Sequence, residues 1–472
     1  MQQDNKIKES LVIVSITLGV LLILSFIKFE YLFENINFTV RNIDLLSDIK
    51  TEPAEEQPVN EIKVIPSEQK INLASFGFME IPSGILNILQ PKESGLDYSL
   101  PYQGTKTPIT GNTKQLSYFF DALKNSKTKT VRIAHYGDSM IEGDLISSDI
   151  REALQNKFGG NGVGWLGIVS QDITFRLTTK HSYSTGNWET ASVYTSNPKS
   201  LPIGISGEAS VPKGNAWVKY ETTTVKRYLK DFSVAKLYYS NAKASQIKYS
   251  FDGGASQTAQ LVPGSGLQEL IMKPSGKAKS IKIDFPTADQ AVFYGVSLEN
   301  NPGLYVDNLP LRGNSGVDLQ QIKPEMMKDF AKFMDYKLII LEFGLNVLGA
   351  RMDYSWYERE MLKVIQNIKT AFPKTSILMI SVHDKATKKG SGFATDPAIV
   401  KLLDTQKGIA NKAGVAFWSM FDAMGGENSM PGWVNSNPPL AFKDYIHFND
   451  QGAKKIAQLF SDALMDEFNK QK

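Results

Sequence analysis

No cysteine occurs anywhere in the 472 residues. Disulfides, zinc–thiolate sites and thiol nucleophiles are therefore excluded. Histidine is nearly as scarce. His135, His181, His383 and His447 are the only four, so any chemistry that needs an imidazole must draw on one of them. An excess of one charge is missing too. With 52 basic and 49 acidic residues the net charge is +3. No basic stripe interleaved with aromatics occurs, and nucleic acid is not an expected partner. No cluster of His, Asp and Glu falls at metal-ligand spacing. Neither a metal nor a cofactor is expected.

What is present is enough apolar material, 42 % of the chain, for a large core, and a length beyond one ordinary domain. Residues 11–27, LVIVSITLGVLLILSFI, form an uncharged run near the lower length limit for a spanning helix. Lys6 and Lys8 precede it, Lys28 follows, and no small-x-small cleavage site comes after. Residues 1–30 are thus expected to be a membrane anchor, single-pass, with the remainder extracytoplasmic (periplasmic). Residues 31–112 read as a tether and irregular arm. Their segment 48–70 is rich in Glu, Pro, Lys and Gln, as flexible linkers are.

The patterning then changes twice. Residues 113–170 hold a helical segment at 114–125, the β-rich run 131–136 and an apolar stripe at Ile146, Ile150, Leu154 and Phe158. Residues 171–300 alternate apolar with polar positions between turn signals, the mark of a β-sandwich. From 301 to 472 the short apolar runs at 336–344, 375–384 and 414–422 read as buried parallel strands. Helical segments at 355–371, 397–411 and 450–468 lie between or after them. The expected architecture is an α/β domain with a parallel sheet in three layers, interrupted by an inserted sandwich. Gly162, Gly164 and Gly167 satisfy G-x-G-x-x-G, but they follow a helix and open no βαβ unit. They read as an exit loop into the insert.

Within VRIAHYGDSMIEGD (131–144), Ser139 falls where a strand turns toward a helix. It is either a helix cap or a nucleophile on a tight turn. Three further fragments bear on the choice: LRGNSGVDL at 311–319, EFGLN at 342–346 and DYIHF at 444–448. In an open parallel sheet the strand ends line one crevice, so distant fragments can meet there. Together they would support acyl transfer, with Ser139 as nucleophile, His447 as base and Asp444 orienting His447. The Ser139 N–H, the Gly316 N–H and the Asn346 amide would supply the oxyanion hole. Each piece has a plainer alternative. Asp444 could cap a turn, His447 could belong to a helix start, Gly313 and Gly316 could be turn residues, and Asn346 could end a strand. His383-Asp384 also ends an apolar run, as a rival base, a substrate contact or a structural pair. Trp188, Trp217, Tyr238 and Tyr239 of the insert could stack on sugars or pack.

These four blocks resemble the SGNH branch of the GDSL esterases, whose motifs carry Ser, Gly, Asn and Asp-x-x-His. They match GDS at 137–139, GNSG at 313–316, GLN at 344–346 and DYIH at 444–447. The second-block glycine maps to Gly313 or Gly316, and Gly316 is preferred because Val-Asp-Leu follows it. The resemblance implies a flavodoxin-like three-layer fold. More narrowly, GDSMIEGD, FGGNGVGW, the insert and FWSMFDAMGG are similar to bacterial peptidoglycan O-acetylesterases and their O-acetyltransferase relatives. That implies a jelly-roll-like, carbohydrate-binding-like insert and an acetylated polysaccharide substrate. The function implied is acetyl-ester hydrolysis through an acetyl-serine. The alternatives are transfer of acetyl onto polysaccharide with a membrane-bound O-acyltransferase partner, or glycan binding without catalysis.

Overall fold

The computed structural model describes residues 104–471, apart from 171–172, 196, 287–289, 301 and 350–352. The expected anchor and most of the tether lie outside the described residues. Among the described residues no helix is long and apolar enough to cross a membrane.

The central sheet has six strands: β1 Thr110–Gly111, β2 Val131–Gly137, β3 Leu304–Pro310, β4 Tyr336–Glu342, β5 Ser376–Ile380 and β6 Ala416–Trp418. Their order is β1-β6-β5-β4-β2-β3. β2 to β6 run parallel, and β1 pairs antiparallel with β6. Without β1 this is the flavodoxin-like order, which reverses direction between β2 and β4. The edge strand β1 lies in the stretch expected to be an irregular arm, where two residues carry too little pattern to announce a strand.

The strands are apolar on both faces because both faces are covered. On β2, Ala134 and Tyr136 join the core beneath the helices α3 Pro324–Met334, α4 Ser355–Ala371 and α5 Pro397–Ala413. Val131 and Ile133 join the opposite core, beneath α1 Ser117–Leu123, α2 Ser147–Phe158 and α8 Asp450–Lys470. The two short helices α6 Met420–Met424 and α7 Ser429–Asn435 precede α8. Three layers result.

Between α2 and β3 the chain leaves to build two antiparallel sheets. One orders the strands Gln257–Gln260, Gln246–Phe251, Ser280–Phe285, Ala216–Thr222 and Thr179–Tyr183. The other is centred on Val292–Glu299. Their apolar faces enclose a separate core that includes Val218, Ile283 and Phe293. Gly164–Gly167, read above as an exit loop, is itself a strand paired with Val292–Glu299. The insert's sheet therefore begins before residue 171.

One buried cluster ties the insert to the central sheet. Arg132 of β2 donates to Asp307 of β3 (2.8 and 3.1 Å) and to Glu299 of the insert (2.5 Å). All three are essentially inaccessible. Burial raises the Glu299 carboxyl, but Arg132 and Lys236 outweigh it and hold the group at about 2.

Candidate active site

The site is built on the carboxyl edge of the sheet. Gly137 is level with Pro310 on one side and Glu342 on the other, so the segments after β2, β3 and β4 emerge together. Ser139 follows β2 and Asn346 follows β4, on either side of the point where the strand order reverses.

Ser139 is not at a helix start. The helix expected there begins at Ser147. Between them lies a turn in which the Asp138 carboxylate accepts from the Met140 N–H (3.0 Å), followed by a short 3₁₀ segment, Glu142–Asp144. Gly143, Asp144 and Ile146 all adopt positive φ (70°, 68° and 57°). Positive φ is costly for a β-branched residue such as Ile146. It is maintained by contacts from outside the turn: Asp144 is buried against Arg151 (2.7 and 2.9 Å) and Arg176 of the insert (3.5 Å).

His447 arrives on the loop before α8. Its Nε2 lies 3.5 Å from Ser139 Oγ and its Nδ1 2.7 Å from Asp444 Oδ2. An ionised carboxylate only accepts, so Nδ1 carries the proton and Nε2 presents its lone pair to the serine. The Asp444 Oδ1 atom accepts the N–H groups of Ile446 (2.9 Å) and His447 (3.0 Å). Asp444 thus both caps the turn and orients the imidazole. Partial burial pushes its carboxyl up, but His447 and these N–H groups prevail and keep it below the ordinary carboxylate range. The cap of α8 is Asn449, which accepts from Gln451 and Gly452.

The loop is buttressed from below. His383 donates Nε2–H to the Ile446 carbonyl (2.8 Å) and lies against the Phe448 ring, with centroids 4.7 Å apart. It is neither a rival base nor a substrate contact. Burial holds its pKa down to about 4, so it is neutral and serves as a support. Tyr445, at φ 59°, stacks on Phe393 of the hairpin Ala386–Lys389/Gly392–Thr395, centroids 3.7 Å apart.

Below pH 6.5 an unfolded chain protonates His383 while the folded chain does not, so this group lowers stability as pH falls toward 4. Asp138, raised to about 7 by burial and by Glu342, acts with the opposite sign. A difference measurement therefore isolates His383. His383→Leu is expected to cost about 1–3 kcal/mol at pH 7 through the unpaired Ile446 carbonyl. Its stability relative to wild type should rise by about 3 kcal/mol between pH 7 and 4, which cancels or reverses the deficit. A deficit that is constant in urea titrations across that range contradicts a neutral His383.

Two of the three expected oxyanion donors, the Gly316 N–H and the Asn346 amide, carry internal partners in this structure. The Gly316 N–H is occupied by the Asn314 side-chain oxygen (2.7 Å), and a Cβ there would sit 2.7 Å from the Phe343 ring. With φ 89° and a packed surface, Gly316 shapes the turn. Gly313, the other second-block glycine, is exposed, and its N–H has no protein partner among the described residues, like that of Ser139. The Asn346 amide is on the crevice edge. It donates to the Asn314 carbonyl (3.0 Å) and Asp138 Oδ2 (3.3 Å).

Behind the serine, His135 is buried between Glu342 Oε2 and Ser147 Oγ, 2.9 Å from each. His181 packs in the insert, 3.1 Å from the Ile168 carbonyl. The insert aromatics are packed too: Trp188, Tyr238 and Tyr239 are buried, and Trp217 carries Lys282 over its ring. Aromatic surface lies elsewhere. A cleft of about 580 Å³ runs from Gly143 and Leu145 past Phe175 and Leu177 of the insert to Phe442 and Phe448. Phe175, Leu177 and Phe442 are solvent-exposed there. Among the described residues no group of acidic and histidine side chains is arranged to hold a metal ion.

No protein-family model and no curated protein matches the chain. Among solved structures, a peptidoglycan O-acetylesterase superposes with a TM-score of 0.64 over 77 % of this chain and 99 % of its own, at 21 % identity. The two share a fold that includes both modules. A family two carbohydrate esterase from Cellvibrio japonicus matches 62 % of this chain and 100 % of its own at 9 % identity, with a TM-score of 0.25. An acetyl xylan esterase matches 34 % and 80 % at 17 % identity, also at 0.25. Both superpose too loosely to bear on the argument.

Proposed function

We propose that the chain is an SGNH-type serine esterase that removes O-acetyl groups from a cell-envelope polysaccharide, anchored to the membrane by residues 1–30 with its catalytic part outside. The observation that carries the reading is the line Ser139 Oγ, His447 Nε2, His447 Nδ1, Asp444 Oδ2, assembled from segments more than 300 residues apart. The shared fold with a peptidoglycan O-acetylesterase supports the choice of substrate class.

In this reading Ser139 Oγ attacks the acetyl carbonyl carbon while His447 Nε2 takes its proton. The carbonyl oxygen becomes an oxyanion facing the Ser139 N–H, the Gly316 N–H and the Asn346 amide, the last two exchanging internal acceptors for it. Collapse breaks the ester bond. His447 protonates the departing sugar oxygen and leaves acetyl-Ser139. Water, deprotonated by His447, attacks that ester and releases acetate, restoring Ser139. The Asp444 carboxylate stabilises the imidazolium in both halves. The 3.5 Å separation of Ser139 and His447 is ordinary for a site without substrate.

The test is acetate release from O-acetylated peptidoglycan by residues 70–472. Serine-dependent release that is unchanged by added sugar acceptor supports hydrolysis. Acetylated sugar formed at the expense of acetate supports transfer to a polysaccharide hydroxyl instead. Asn346→Ala is expected to lower kcat about 10²- to 10³-fold with KM little changed, the usual cost of one oxyanion donor. A loss confined to KM would assign Asn346 to substrate binding.

A further inference from the structure

The turn that carries Ser139 is held from the side by the insert. Arg176 lies just before the edge strand Thr179–Tyr183, which pairs along its length with Ala216–Thr222. The Arg176 side chain is 6 % exposed and reaches two groups of the α/β module. One is the Asp144 carboxylate (3.5 Å), the other the Asn308 Oδ1 atom of β3 (3.4 Å). Each holds a different part of the serine turn. Asn308 Nδ2 donates to the Ile141 carbonyl (2.8 Å) and to Ser147 Oγ (2.9 Å). These two residues bracket the stretch in which Gly143, Asp144 and Ile146 take positive φ. Beside Arg176, the Phe175 ring covers Gly143, where a Cβ would meet it at 2.8 Å.

Arg176 is not needed to neutralise Asp144. Arg151 already makes two bonds to that carboxylate (2.7 and 2.9 Å) and is itself fixed by the Val306 carbonyl (2.9 Å). Burial pushes the Asp144 carboxyl up, but Arg151 and then Arg176 outweigh it and hold it below the ordinary range. What Arg176 adds is a link, because its planar fork joins the strained turn to β3 through one side chain. Ser139 has little anchorage of its own. Its hydroxyl meets only His447, and its carbonyl meets the Glu142 N–H at 3.4 Å. The place of Ser139 Oγ is therefore inherited from the turn. A displacement of about 1 Å is enough to take a reacting group out of productive geometry.

We infer that Arg176, although part of the insert, is a positioning residue for Ser139, and that the insert completes the active site by holding the serine turn in register with His447. The inference rests on the esterase reading above. It gives the insert a part in the chemical step that is independent of any sugar, so it extends to an ester too small to occupy a glycan site.

The test follows p-nitrophenyl acetate hydrolysis and the rate of organophosphate labelling of Ser139 in the full-length protein. Arg176→Met keeps a long side chain and removes the charge. It is expected to lower kcat about 10- to 100-fold with KM within about twofold, as a misplaced nucleophile should. Labelling should slow by the same factor, since it reads the nucleophile directly. Arg176→Lys keeps the charge, but one ammonium cannot bridge Asp144 and Asn308 as the fork does, and kcat should fall about 3- to 10-fold. Lys282→Met removes a cation from the exposed face of the insert beside Trp217 and should leave both rates within about twofold. A merely structural Arg176 would lower the urea midpoint and leave kcat and labelling of the folded variant unchanged, which overturns the inference. If Arg176→Met does not fold, Arg176→Lys decides. An unchanged kcat in that variant overturns the inference, and a lowered kcat with unchanged KM supports it. If Ser139→Ala hydrolyses the ester as fast as wild type, the esterase reading itself has failed, whatever Arg176 does.

Discussion

Ser139→Ala is expected to lower kcat/KM for acetyl esters about 10⁴- to 10⁶-fold, with the fold intact. The magnitude follows from the arrangement of the site. The variant keeps the Ser139 N–H, the Asn346 amide and the neighbouring cleft, so in this reading residual turnover comes only from polarisation and binding. The covalent route is gone because the hydroxyl that lies 3.5 Å from His447 Nε2 is removed. Stability should hardly change, since the Ser139 side chain is partly exposed and bonded only to His447. Circular dichroism and a urea titration of the variant separate loss of chemistry from loss of fold. A loss smaller than tenfold, with the variant folded, would assign Ser139 to the turn and not to the reaction.

Arg132→Met is expected to cost about 3–5 kcal/mol of stability, a large part of what a typical domain possesses. The guanidinium satisfies Asp307 and Glu299 together, and removal leaves Asp307 buried without a cation and Glu299 with one of its two. Lys236 reaches only Glu299 (2.9 Å). Because the cluster joins β2, β3 and the insert, the variant should also lose the single cooperative unfolding transition if the modules separate. Adding Asp307→Asn to Arg132→Met should restore part of the stability by neutralising one of the stranded charges. A cost below 1 kcal/mol in equilibrium urea unfolding would contradict a structural role for the cluster.

The parallel strands were legible in the sequence because burial on both faces leaves continuous apolar runs, such as 336–342. The alternation within 171–300 was legible because a sandwich buries only one face of each sheet. The chemical types of the site could be read as well, since Ser139 and Asn346 each follow an apolar strand run and Asp444 and His447 stand just before the last helix.

Other features depended on tertiary contacts that no local pattern records. Ile146 cannot announce a positive φ, because Arg151 of α2 and Arg176 of the insert hold Asp144 in that turn. His383 reads like a base at the end of a strand. Only the Ile446 carbonyl above it reveals a support. Gly164–Gly167 mimics a loop by composition, yet becomes a strand because Val292–Glu299 supplies its pairing partner.

The most direct test of the central claim is serine-directed organophosphate labelling of residues 70–472, with the modified peptide located by mass spectrometry. The account predicts stoichiometric label on the peptide containing Ser139, and its loss in His447→Ala, where the base that activates the serine is missing. Label on another serine, or no label on the folded protein, would contradict Ser139 as the nucleophile.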